Sequence, residues 1–82
     1  MVIHDEANHK FTMNFPEGTP YLEYSLDGGV FTVLHTVVPK ELGGRGLAAE
    51  LATAAYDWAA KNNFILKSEC SYMTAWLKRN HS

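Results

Sequence analysis

The chain has 82 residues, 46% of them hydrophobic and 20% charged, with a formal net charge of −2 at neutral pH. That composition fits one small folded domain spanning residues 1–82 rather than a disordered chain. It also gives no basic field for nucleic acid or an anionic membrane.

One cysteine, Cys70, excludes an internal disulfide framework and points to a reducing compartment. The start, Met1-Val2-Ile3-His4-Asp5-Glu6, is acidic where a secretory signal needs a basic start and an apolar run. No apolar stretch reaches membrane-spanning length, so a soluble cytoplasmic chain is expected, monomeric or weakly dimeric. At this size roughly 60–65% of the unfolded chain's surface is buried on folding, enough for one core.

Residues Met1 to His4 suit a short edge strand. Lys10 to Phe15 alternates polar and apolar, placing Phe11, Met13 and Phe15 on one face of a strand. Pro16-Glu17-Gly18-Thr19-Pro20 is a turn by composition. Tyr21 to Leu26 alternates again, with Leu22, Tyr24 and Leu26 pointing one way, and Asp27-Gly28-Gly29 is a hairpin signal. The run from Val30 to Val38 is β-branched and almost continuously apolar, the pattern of a central strand covered on both faces.

A glycine-rich loop follows, Glu41-Leu42-Gly43-Gly44-Arg45-Gly46. Leu47, Leu51, Ala55 and Trp58 then recur at helical spacing, with Ala48, Ala52 and Ala59 widening the stripe. Asn62-Asn63 marks a helix stop, Phe64 to Lys67 a short strand, and Cys70-Ser71 the opening of a last helix. In that helix Met73, Trp76 and Leu77 share a face. The order is β-β-β-α-β-α with an added N-terminal strand, an α+β (mixed α/β) class. The strands flanking the long helix are expected to be parallel neighbours.

Glycines where a helix begins let an anion approach unpaired backbone N–H groups and the positive end of the helix dipole. The loop therefore reads as an anion cradle, most naturally for a pyrophosphate. No Lys-Ser or Lys-Thr pair follows Gly46, so the handle for a triphosphate and its magnesium is missing. His4, His9 and His81 show no metal-ligand spacing, and no second thiolate accompanies Cys70, so no metal is expected. No Ser-His-Asp arrangement is readable.

Strand, Glu-Leu-Gly-Gly-Arg-Gly loop and helix together resemble motif A of the GNAT acetyltransferases. Its Gln/Arg-x-x-Gly-x-Gly/Ala signature falls on Glu41, Gly44 and Gly46. His35-Thr36-Val37-Val38-Pro39, Gly43-Gly44-Arg45-Gly46 and Cys70-Ser71-Tyr72 resemble the small single-domain members of about this length. The resemblance spans almost the whole chain and implies a minimal GNAT-like fold with acetyl-CoA as cosubstrate. It implies that the amides of Gly44, Arg45, Gly46, Leu47 and Ala48 bind the pyrophosphate, with Gly43 shaping the turn. It implies too that backbone groups of Thr36, Val37 and Val38 pair with the pantetheine arm where two parallel strands splay apart. Glu41 replaces the family's Gln or Arg and is expected to face solvent, away from the phosphates. Ser68 stands where relatives tend to have proline.

Acetyl transfer to an amine requires a proton taken from the amine, polarisation of the thioester oxygen, and a proton for the leaving thiolate. In the GNAT superfamily a backbone N–H of the central strand supplies the polarisation. The side chains available for proton work are His35, Glu69, Cys70 and Tyr72.

Cys70 falls at a strand's carboxyl end and a helix start, where a thiolate is stabilised and ligands of open α/β sheets gather. Three roles are open to it: acetyl acceptor, channel wall, or buried structural thiol. His35, which alternation groups with Val33 and Val37 on one face, is either the base or a hydrogen-bonded core residue. Tyr72 either protonates the leaving sulfur or packs, and Glu69 charges the helix start.

The expected function is an acetyl-CoA-dependent N-acetyltransferase with an unidentified amine acceptor. An exposed lysine, a protein N-terminus and a polyamine all suit the site. With a short Phe15–Tyr21 connection and its last residue at Ser82, the chain is expected to lack the acceptor-pocket helices and C-terminal strands of longer members. The alternatives are a non-catalytic CoA-binding module and a protein-interaction domain.

Overall fold

The computed structural model describes residues 1–81. Five strands form one sheet in the order β1(Ile3–Asp5), β2(Lys10–Thr12), β3(Tyr21–Asp27), β4(Val30–Val37), β5(Ile65–Ser68). The first four are antiparallel neighbours, and β5 runs parallel to β4. Between β4 and β5 lie a 3-10 turn, Lys40–Leu42, and helix α1, Leu47–Lys61; helix α2, Ser71–His81, follows β5.

Each expected element is present, with shifted ends. The strand expected through Phe15 stops at Thr12, although Met13 keeps its inward side chain. Past that point the chain closes a tight reverse turn in which Phe15 and Gly18 exchange both backbone hydrogen bonds. Asn63 takes the left-handed conformation (φ 59°) just beyond α1, the stop that the Asn62-Asn63 pair announces.

Both helices pack on one face of the sheet. Leu47, Leu51, Ala52, Ala55 and Ala59 of α1 and Met73 and Trp76 of α2 bury against Phe11, Leu22, Tyr24, Phe31 and Val33. Small alanines let α1 approach the strands closely, and aromatic rings fill the far end. There His4 stacks on Phe11 at 4.0 Å, Tyr24 stacks on Phe31 at 4.4 Å, and Trp58 sits edge-on to His4.

The opposite face is uncovered, which corrects the expectation that β4 is covered on both faces. Apolarity misleads here because Val30, Val37 and Ile65 stand on the open face; Val37 is 41% and Ile65 61% exposed. A β-bulge also interrupts β4. Tyr24 pairs with Val33 but Glu23 pairs with His35, leaving Leu34 without a partner. Val33 therefore points into the core while His35 points to the open face, where simple alternation would have kept them together.

Candidate functional site

The β4–β5 ladder ends early. Its last pair is Val33 with Ser68, closed by the Glu69 N–H donating to the Val33 carbonyl at 2.8 Å. β4 continues through Val37 with β3 as its partner, through the pairs His35–Glu23, Thr36–Leu22 and Val37–Tyr21. The strands thus part beyond Val33. On the β5 side the backbone of Thr36, Val37 and Val38 has no ladder partner among the described residues, the place where unmet N–H and C=O groups attract a ligand.

At the same end of the sheet the chain turns through Pro39 and the 3-10 turn, pinned by the fully buried Leu42. Gly44 (φ 79°) and Gly46 (φ 72°) are left-handed, and an added Cβ at either would meet nothing within 4 Å. Backbone conformation is thus what selects glycine at both positions. Gly46 is the N-cap of α1 and supplies no side-chain cap, while its carbonyl accepts from Glu50 N–H at 3.1 Å. The exposed loop therefore presents uncapped helix-start amides, a seat for an anion.

Arg45 and Glu17 form an exposed ion pair at 3.9 Å, which ties the loop loosely to the Phe15–Gly18 turn. Glu41 is exposed.

Cys70 sits immediately before α2, and its carbonyl accepts the Thr74 N–H at 3.0 Å. Its Sγ lies 3.5 Å from Thr36 Oγ1, which brings the thiol to the mouth of the β4–β5 opening. Burial pushes the thiol pKa up. The Thr36 hydroxyl and backbone groups of Met73, Tyr72 and Thr36 outweigh that, so the thiol ends below its ordinary value.

A hydroxyl cluster fixes this geometry. Ser68 Oγ accepts from Cys70 N–H at 3.2 Å and from Thr74 Oγ1 at 2.9 Å, and donates to the Cys70 carbonyl at 2.9 Å. Sequence reading had no signal for this cluster, which depends on a residue two before the cysteine and one four after it.

The structure brings Thr36, Val37, Val38 and Cys70 together around the strand opening. Gly43, Gly44, Arg45, Gly46, Leu47 and Ala48 form the adjoining loop and helix start. His35 is one residue from the thiol contact but on the other face of β4. Tyr72 is half-buried in the first turn of α2 and packs against the core. His4 lies far along the sheet in the aromatic cluster, its Nε2 2.6 Å from the Tyr24 hydroxyl. Among the described residues no group of three or more His, Cys, Asp or Glu side chains is placed to hold a metal, and no helix is long and apolar enough to cross a membrane.

Comparison with known proteins places this geometry. The family model for GCN5-related N-acetyl-transferase matches residues 10–82. Protein NATD1 of Gallus gallus is 32% identical over 96% of this chain and 74% of its own length. The Homo sapiens protein of the same name is also 32% identical, over 96% of this chain and 73% of its own. The solution structure of a GCN5-like protein from Staphylococcus aureus superposes with a TM-score of 0.75 at 27% identity, covering 96% of this chain and 78% of that one. The chain belongs to the GCN5-related N-acetyltransferase family.

Proposed function

We propose that the chain binds acetyl-CoA along the β4–β5 opening and transfers its acetyl group to an amine. One juxtaposition carries the reading: the uncapped start of α1, behind the left-handed Gly44 and Gly46, adjoins a parallel strand pair whose ladder stops at Val33 and Ser68. The residues present suit the cosubstrate. An exposed backbone loop at a helix N-terminus fits a pyrophosphate, and an unladdered strand edge fits an arm that carries amide groups of its own. Bound there, acetyl-CoA supplies an acyl group activated as a thioester.

In this reading Gly44, Arg45, Gly46, Leu47 and Ala48 hold the pyrophosphate through their amides, with Gly43 shaping the turn. Backbone groups of Thr36, Val37 and Val38 orient the pantetheine arm. Cys70 lines the channel beside Thr36, with its thiol aimed at the opening. His35 takes a proton from the incoming ammonium, and Tyr72 returns one to the departing sulfur. The sum balances as an N–C bond made, a C–S bond broken and one proton released.

Thiol release from acetyl-CoA across a panel of amines tests the proposal. Amine-dependent release is expected, reduced roughly a hundredfold in His35→Gln while CoA still binds. CoA binding with no amine-dependent release from any acceptor would leave a binding module, and no CoA binding would contradict the whole reading.

A further inference from the structure

β5 is the last strand of the sheet, so only one of its two edges is paired. The Ile65 and Glu69 N–H groups donate to the Gly29 and Val33 carbonyls on the β4 side. Strand alternation therefore turns the N–H and C=O groups of Leu66 and Ser68 the other way, where no strand lies among the described residues. This edge is on the far side of β5 from the cosubstrate opening.

A groove of about 400 Å³ runs between that edge and α2. Leu66 and Leu77 supply its apolar lining, and Ser68, Thr74 and Lys78 line it with polar groups. Past Leu66 it adjoins a recess of about 220 Å³ formed by Tyr56, Ala59, Ala60 and Phe64. His81 stacks on Tyr56 at 3.9 Å and joins the two.

The groove is basic. Lys67 borders it from β5 and Lys78 from α2, both exposed, and α2 carries no acidic side chain while adding Arg79 in its last turn. Asp57 of α1 lines a different groove, beside Val2. The acids closest in register are Glu69, one residue past β5, and Asp27, two strands from Ile65 across Val30. Neither lines this groove.

We propose that the free edge of β5 docks an extended acidic segment of another polypeptide as an added strand. Its backbone pairs with Leu66 and Ser68, an apolar side chain enters the groove over Leu66 and Leu77, and carboxylates meet Lys67 and Lys78. Charge selects this occupant over a second copy of the chain. A twofold contact on the same edge would bring the basic groove of one copy against that of the other. The surface is separate from the acetyl-transfer site and does not depend on it.

An end-blocked peptide alternating glutamate and valine, titrated into the full chain while amide resonances are followed, tests the proposal. Shifts are expected at Leu66, Ser68, Leu77 and Lys78, with the Leu66 and Ser68 amides gaining protection from hydrogen exchange. Affinity should fall about fivefold when Lys67→Gln and Lys78→Gln are combined, both being exposed positions. A peptide with lysine in place of glutamate should not bind, and N-methylation at alternate amides should abolish binding while keeping the charges.

Shifts confined to Gly43–Ala48 would mean anion capture by the glycine loop and overturn the proposal. Binding that survives N-methylation would overturn strand pairing, and equal binding of the lysine peptide would overturn the acidic occupant. Concentration-dependent shifts of the same amides without peptide would assign the edge to a second copy. No shifts at all would leave Lys67 as a charge that blunts the edge and overturn the docking site.

Discussion

Cys70 owes its character to neighbours that no local sequence window contains. Thr36 lies on another strand, and Ser68 and Thr74 meet only because α2 starts where β5 ends. The thiol's lowered pKa means that it ionises more readily near neutral pH than an unhindered cysteine. Alkylation by iodoacetamide is therefore expected to show its half-maximal rate below the pH of a free thiol. Thr36→Val should move that midpoint upward, and saturating CoA should protect the thiol. An unshifted midpoint in Thr36→Val would remove the hydroxyl from the explanation. Intact mass after incubation with acetyl-CoA is expected to show no stable adduct; an added acetyl group that Cys70→Ala abolishes would make the thiol a covalent carrier instead.

His4 behaves in the opposite sense. Burial against Phe11 and Trp58 lowers its pKa despite the carboxylates of Glu6 and Asp5. Folding thus favours the neutral ring, whose Nε2 lies 2.6 Å from the Tyr24 hydroxyl, within hydrogen-bond distance. Because the unfolded imidazole titrates near pH ~6.5 and the folded one lower, this residue's contribution is complete above that pH. It is lost as pH falls through the interval below. Urea midpoints are expected to fall between pH 7.5 and 5.5 in the wild type and to fall less in His4→Phe. Equal slopes would contradict the assignment.

At the level of elements, the segments with strong periodicity were the legible ones. The Leu47–Leu51–Ala55 stripe, the Tyr21–Leu26 alternation and the Asn62-Asn63 stop all describe local chain geometry, and each appears close to where its pattern lies. The β4 bulge was not legible. An unpaired Leu34 in an apolar run looks like any other strand leucine, and only the register with β3 exposes it. For the same reason simple alternation put His35 on the face of Val33, whereas the bulge turns it to the open face.

The glycine loop combines both situations. Its positive-φ residues were readable as glycines, whereas the fully buried Leu42 that anchors the loop was not singled out. Gly46→Ala and Gly44→Ala are each expected to cost about 1–2 kcal/mol from left-handed strain and to weaken CoA binding. Leu42→Ala should cost more, about 2–5 kcal/mol, by opening a cavity under the loop. Chemical denaturation of the three variants checks the order, and a smaller loss in Leu42→Ala than in either glycine variant would contradict it.

For the whole molecule, a one-sided sheet explains why the candidate site gathers at one end. α1 and α2 cover the face that carries the core and leave the other to solvent. The parallel β4–β5 pair opens where α1 begins, so loop, strand edge and thiol adjoin one another. The sequence carried the loop and the flanking strands because glycine placement and apolar runs are local. It did not carry the emptiness of the second face, which follows from how two short helices are shared among five strands.

The most direct measurement is a CoA titration followed by amide chemical shifts. Saturable shifts are expected from Gly43 to Ala48 and from Thr36 to Val38, with Cys70 responding and the distant His4–Trp58 cluster silent. Binding that leaves the Gly43–Ala48 amides unmoved, or an absence of binding, would contradict the account.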